Sequence, residues 1–182
     1  MTENELLQLG KGYKLSFLGR AANMVSISLS SPSSPYDYVI HISAKCELLY
    51  QGNVLTNTAD IFEEVRPNVT RFDEKVQGLM DEGTEFFLQE MNYDYIGCLH
   101  AKFSNSFEVH SLFEASDLDE DCEMWRVFFR WKAEPHLVAT QKGISLVPCE
   151  ESQAELDRLK IYFSSKTTNQ GPISGRFPRS NG

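Results

Sequence analysis

Five acidic residues crowd one short stretch of the chain: Asp117, Asp119, Glu120, Asp121 and Glu123. Carboxylates at this density can chelate a cation or dock on a basic surface. A calcium loop needs alternating oxygen ligands around a bend glycine and a closing glutamate in fixed register. The segment SDLDED has no such glycine and no such register. Docking is therefore the expected chemistry, weighed against a plain solvated hairpin connection. An acidic patch can mimic phosphates at the cleft of a nucleic-acid enzyme, and it accelerates encounter by steering. Two tryptophans follow, Trp125 and Trp131. Tryptophan is common at binding hot spots, so either could anchor a partner. Core burial competes for both. In CEMWRVFFRWK, Trp125, Val127, Phe129 and Trp131 alternate with Met124, Arg126, Phe128 and Arg130.

The remaining reactive side chains give weaker patterns. His41, His100, His110 and His136 all lie in strand-like segments. His100 and His110 become cross-strand neighbours if the turn Ser104-Asn105-Ser106 sets the register. A zinc site needs three or four converging ligands, and no local spacing supplies them, so neither metal nor cofactor is expected. Cys46, Cys98, Cys122 and Cys149 are scattered without a CxxC pair. A catalytic thiol needs a depressed pKa and a base within reach; buried, reduced thiols are the expectation. Carboxylates are numerous enough for a glycosidase-like pair, but they cluster in loops and on helix faces. No GxGxxG, GxxxxGK[ST], GxSxG or HExxH is present. No residue is assigned a catalytic role, and a non-enzymatic protein is expected.

Composition narrows the function classes. The chain has 182 residues, with 26 acids against 17 Lys plus Arg and a net charge of -9. Nucleic acid and anionic membranes would repel it. The apolar runs are far shorter than a membrane span, and MTENELLQLG lacks the basic and apolar regions of a secretory signal. A cytoplasmic location is the expectation. Residues 164–182 hold Lys166, Arg176 and Arg179 and no acid, so they carry +3 and leave -12 on residues 1–163. Ser, Gly, Pro, Thr and Asn dominate that tail, which is expected to be disordered and basic. One acidic domain over 1–163 is expected before it.

These residues must be positioned by a mostly β framework. Period-two alternation over 13–30 predicts a hairpin turning at 19–23, longer than the tightest loops. The Ser- and Pro-rich stretch at 31–36 reads as a loop, and 38–50 as strand followed by a Gln51-Gly52-Asn53 turn. Thr70 with Asp73 resembles a capping box. Phe72, Val76, Leu79 and Met80 then give one face of a helix closed by Gly83. Residues 84–114 read as three antiparallel strands, 85–93, 95–103 and 107–115. Another strand runs over 122–132, a further one over 143–147, and a helix from Ser152 to Phe163. The fold class expected is α+β, mostly antiparallel β-sheet of about eight or nine strands with two short helices.

Four segments carry a resemblance. They are YVIHISAKCELLYQGNVLTNTADI at 38–61, RFDEKVQGL, FSNSFEVHSLFEAS and EMWRVFFRWKAEPHLVATQKGISL. Together they resemble a family of small uncharacterised bacterial proteins, similar to immunity proteins of polymorphic toxin systems. The chain departs from that pattern after Cys46, where Glu47-Leu48 stand in place of a frequent Trp-Arg pair. The resemblance implies a fold more than an activity, and no catalytic residue carries over.

The function expected is a binding protein that neutralises a cognate bacterial toxin. Asp117, Asp119, Glu120, Asp121 and Glu123 would supply the charge, and Trp125 or Trp131 the anchor. The partner is a basic protein, a toxin domain, with no direct nucleic-acid or membrane contact. A phage-type inhibitor that mimics nucleic acid, and a small-molecule-handling enzyme, are the alternatives.

Overall fold

A computed structural model describes residues 1–113 and 122–169, with backbone alone over 162–169. Among the described residues there are thirteen strands and three α-helices. The chain opens with α1 (Glu3–Leu9), β1 (Lys14–Ala21), β2 (Met24–Ser31), β3 (Ser34–Ile42), β4 (Cys46–Tyr50) and β5 (Asn53–Asn57). A 3-10 turn at Thr58–Phe62 leads to β6 (Glu64–Arg66), β7 (Val69–Thr70) and α2 (Arg71–Asp81). Then come β8 (Leu88–Tyr93), β9 (Leu99–Phe103), β10 (Phe107–Ser111), β11 (Glu123–Phe129), β12 (His136–Thr140), β13 (Gly143–Val147) and α3 (Gln153–Asn169). The α+β class holds, with mostly antiparallel sheet; the strands outnumber the eight or nine expected.

The strands form a six-stranded sheet, β1-β2-β3-β11-β12-β13, and a five-stranded sheet, β5-β4-β10-β9-β8. One core lies between them. Its largest fully buried side chains include Trp125 and Tyr38 from the first sheet, Phe107 and Leu48 from the second, and Phe72 from α2. The sheets are stitched along one side, where Leu15 N–H donates to Phe86 O at 2.8 Å and Leu88 N–H to Tyr13 O at 2.9 Å. The chain crosses from one sheet to the other at 43–45, between β3 and β4. There Ser43 and Ala44 N–H both donate to Met124 O at 2.9 Å.

Local chemistry explains the elements. α1 starts with a capping box: Thr2 accepts from Glu5 N–H, and Glu5 accepts from Thr2 N–H. Its Leu6 and Leu7 are buried, and Tyr38 Oη donates to Leu6 O at 3.0 Å. Gly10 is required at the helix end, because a Cβ there would sit 2.6 Å from the Tyr38 ring. Thr70 caps α2 and shares the capping box with Asp73, whose carboxylate also accepts from Arg20 Nε at 3.0 Å. Phe72, Val76 and Leu79 are the buried face of that helix, as its periodicity predicts.

Two turns are tighter than the sequence suggests. Ala21 pairs with Met24, so the first hairpin closes on Ala22-Asn23, with Ala22 in the left-handed region at φ 53°. Ser31 pairs with Ser34, so the Ser- and Pro-rich stretch makes a two-residue turn at Pro32-Ser33 and not a loop over 31–36. Pro35 falls at the start of β3, a strand position that tolerates a missing N–H. α3 runs to Asn169, past position 164 where the tail is expected to begin. Residues 170–182 lie outside the described ones. No helix among the described residues is long and apolar enough to cross a membrane.

Candidate functional site

Four of the expected acidic contacts, Asp117, Asp119, Glu120 and Asp121, lie outside the described residues. Glu123 opens β11. Its Oε2 accepts from Arg126 Nε at 3.0 Å and Nη2 at 2.6 Å, so its charge is spent within the molecule. Trp125 is a correction. It is fully buried, and its indole Nε1 donates to Gly97 O at 2.7 Å. A side chain buried on all sides offers no surface to a partner; its large apolar area goes to the core. Trp131 is half-buried just past the other end of β11, in the left-handed region at φ 65°. Eight residues of extended chain separate it from Glu123, roughly 26 Å. Among the described residues, then, Glu123 and Trp131 lie at opposite ends of β11 and Trp125 lies in the core.

The structure brings something else to the Glu123 end. The β8–β9 turn, Asp94-Tyr95-Ile96-Gly97, is the receiver of the Trp125 hydrogen bond. The Asp94 carboxylate accepts from Ile96 N–H at 3.0 Å and from Cys98 N–H at 2.9 Å, which fixes the turn as an Asx-type loop. Burial pulls the Asp94 carboxyl up, but those two backbone bonds and His100 outweigh it and hold it below the usual carboxylate range. Gly97 takes φ 87°, a conformation glycine adopts without strain. The rigid turn lifts Tyr95 out of the fold: it is 98% exposed, with Ile96 exposed beside it. On the neighbouring strand, Leu99 N–H donates to Ser111 Oγ at 2.7 Å, and the Phe113 N–H lies against the Cys98 sulfur. Leu112 and Phe113, both exposed, thus follow the end of β10 next to the turn. Glu114, the first residue of the acidic run, follows Phe113 directly in sequence.

Four exposed apolar side chains near one sheet end, Tyr95, Ile96, Leu112 and Phe113, have the make-up of an interface core. Sequence reasoning missed Tyr95 and Ile96 by placing them in a strand over 95–103. The D-Y-I-G spacing, an Asx residue three before a glycine, is the turn signal that could have found them.

The other reactive groups are placed as follows. His100 and His110 are paired across β9 and β10, with ring centroids 4.9 Å apart, as the 104–106 turn predicts. His110 Nε2 lies 2.9 Å from Glu108, and His100 Nε2 3.6 Å from Asp94. Both rings sit on the outward face of the five-stranded sheet. An open cleft of about 410 Å³ lies elsewhere, lined by Thr2, Glu3, Asn4, Tyr93 and Leu146. All four cysteines are free thiols. Burial pushes the Cys46 thiol up to about 11, and raises Cys98 and Cys149 as well, the opposite of what a nucleophile needs. Among the described residues no group of three or more His, Cys, Asp or Glu forms a metal site.

No family model, no curated protein and no solved structure matches the chain.

Proposed function

We propose that this is a cytoplasmic binding protein of the immunity type, which covers the basic functional surface of a bacterial toxin domain. The observation that carries this reading is the patch of Tyr95, Ile96, Leu112 and Phe113 at the root of the acidic run. Tyrosine is among the residues that dominate binding energy, and an immobilised turn loses little entropy on docking. The acids at Glu114, Asp117, Asp119, Glu120 and Asp121 supply long-range attraction toward a basic partner. Trp125 acts from inside, as the support that aims the turn, and Glu123 serves Arg126 instead of the partner. The resemblance to immunity proteins points the same way.

The experiment is co-expression with the product of the gene immediately upstream in the native genome. Growth restored by the wild-type protein and lost with Tyr95→Ala is the result expected. An upstream product that is harmless alone, or protection unaffected by Tyr95→Ala combined with Phe113→Ala, contradicts the reading.

A further inference from the structure

The open cleft lies where α1 meets the last strand of each sheet, β8 and β13. Thr2, Glu3 and Asn4 line it from the cap and first turn of α1, Tyr93 from the end of β8 and Leu146 from β13. Its volume of about 410 Å³ falls within the roughly 300–1,000 Å³ of small-molecule pockets. The walls are held in place. α1 lies against β8 and β11, and its Gln8 Nε2 donates to Met91 O at 3.5 Å. The Tyr93 ring lies 6.2 Å from that of Trp125, tilted by 34°. Leu146 pairs with Leu137 on β12 and packs against the core. A cavity formed in advance costs its ligand little ordering.

The lining selects by charge. Glu3 is half-buried, and its Oε2 accepts from Tyr93 Oη at 2.8 Å. That bond, and then burial, raise the Tyr93 phenol above its ordinary pKa, so near neutral pH it stays a neutral donor. Among the described residues no other donor and no cation reaches the Glu3 carboxylate, which leaves Oε1 open. An anion in the cleft would meet that carboxylate and be repelled. A wholly apolar ligand would cover the acid without pairing it, at a desolvation cost. A cation gains from both the carboxylate and the face of an aromatic ring. Leu146 offers the one apolar side chain of the lining.

We infer that this cleft binds a small organic cation, an ammonium or guanidinium group on a short apolar stem. Glu3 Oε1 and the Asn4 side-chain carbonyl accept its N–H groups. The Tyr93 ring flanks the charge, and the stem lies on Leu146. The Tyr93 hydroxyl keeps Glu3 turned toward the ring, so acid and aromatic act on the same cation. The site shares no residue with the Tyr95 patch, and its test is independent of the toxin reading.

The test is an NMR titration of the full chain with n-butylammonium chloride and, separately, n-butylguanidinium chloride, at constant ionic strength. The neutral n-butanol is the control. The probes are the Tyr93 ring and the backbone amides of Asn4 and Leu146. A saturable shift of all three with a cation is expected, and binding about tenfold weaker in Glu3→Gln and for n-butanol. Glu3→Gln keeps an acceptor for the Tyr93 hydroxyl and so preserves the cleft. A response to one cation alone identifies the ammonium or the guanidinium as the ligand group. No saturable shift with either cation overturns the proposal. So does equal affinity in Glu3→Gln with an otherwise native spectrum, or n-butanol binding as tightly as the cations.

Discussion

Trp125 Nε1 donates to the carbonyl of Gly97 at 2.7 Å, and this bond links the two sheets to the turn that displays Tyr95. The indole starts on β11 in the six-stranded sheet and ends against the β8–β9 turn of the other. A core residue thereby sets the geometry of a surface. Trp125→Phe keeps most of the packing and removes the donor, so the loss of stability should be about 1–2 kcal/mol. Trp125→Ala should cost about 3–5 kcal/mol by leaving a cavity. Urea unfolding separates the two. Amide exchange at Ile96 and Cys98 should quicken in Trp125→Phe; unchanged exchange there would show that the bond does not hold the turn.

Tyr95 makes the opposite prediction. At 98% exposure it contributes little to the fold, so Tyr95→Ala should change stability by less than about 0.5 kcal/mol. On the function proposed above, it should weaken binding to the toxin partner by about 2 kcal/mol, roughly thirtyfold. Reversing Asp119, Glu120 and Asp121 to lysine should slow association and flatten its salt dependence. Calorimetry and stopped-flow mixing over a salt series read both effects.

The Gln153 side chain ties α3 to the β11–β12 connection. Gln153 Oε1 accepts from Ala133 N–H at 3.0 Å, and its Nε2 donates to Trp131 O at 2.9 Å. Gln153→Ala should cost about 1–2 kcal/mol and raise exchange at the Ala133 amide without touching the β8–β9 turn. Loss of binding to the proposed partner in this variant would move the interface to the Trp131 end of the sheet.

Acid should loosen the α2 cap. Burial raises the Asp73 carboxyl, but the Thr70 backbone bond and Arg20 more than offset it, so its pKa lies below the ordinary value. A depressed carboxyl stabilises the fold above its unfolded pKa, about 3.9, and that stability is lost as pH falls through the folded value. Asp60, lowered by Lys75 and Thr56 against burial, behaves the same way. Asp73→Asn should therefore be less stable than wild type at pH 7, with the two urea midpoints converging below about pH 4. Parallel curves across that range contradict the assignment.

The thiols give a simple accessibility check. Cys122 is exposed while Cys46 and Cys98 are buried. A thiol reagent should modify Cys122 first and reach Cys46 only on unfolding. Prompt labelling of Cys46 in native protein would contradict its burial.

Much of the framework is legible in the residues themselves. Thr70 and Asp73 announce the start of α2, and Phe72, Val76 and Leu79 its buried face. Ser104-Asn105-Ser106 sets the register that pairs His100 with His110. The tight hairpins were harder, because Ala22 and Pro32-Ser33 make two-residue turns without the usual Asn-Gly pair. α1 was missed although Thr2 and Glu5 form a capping box, because a seven-residue helix carries too little periodicity to stand out. The site was harder still. Alternation alone cannot say whether Trp125 faces a core or a partner, since both are apolar. Only the second sheet, brought over it by the crossing at 43–45, decides that.

The most direct measurement is a hydrogen-exchange footprint of the complex with the proposed toxin partner. Protection should fall on residues 94–98 and 111–123, with the outward face of β1 and β2 unchanged. Protection confined to α3, or to the six-stranded sheet, would place the interface elsewhere and contradict the assignment to Tyr95 and its neighbours.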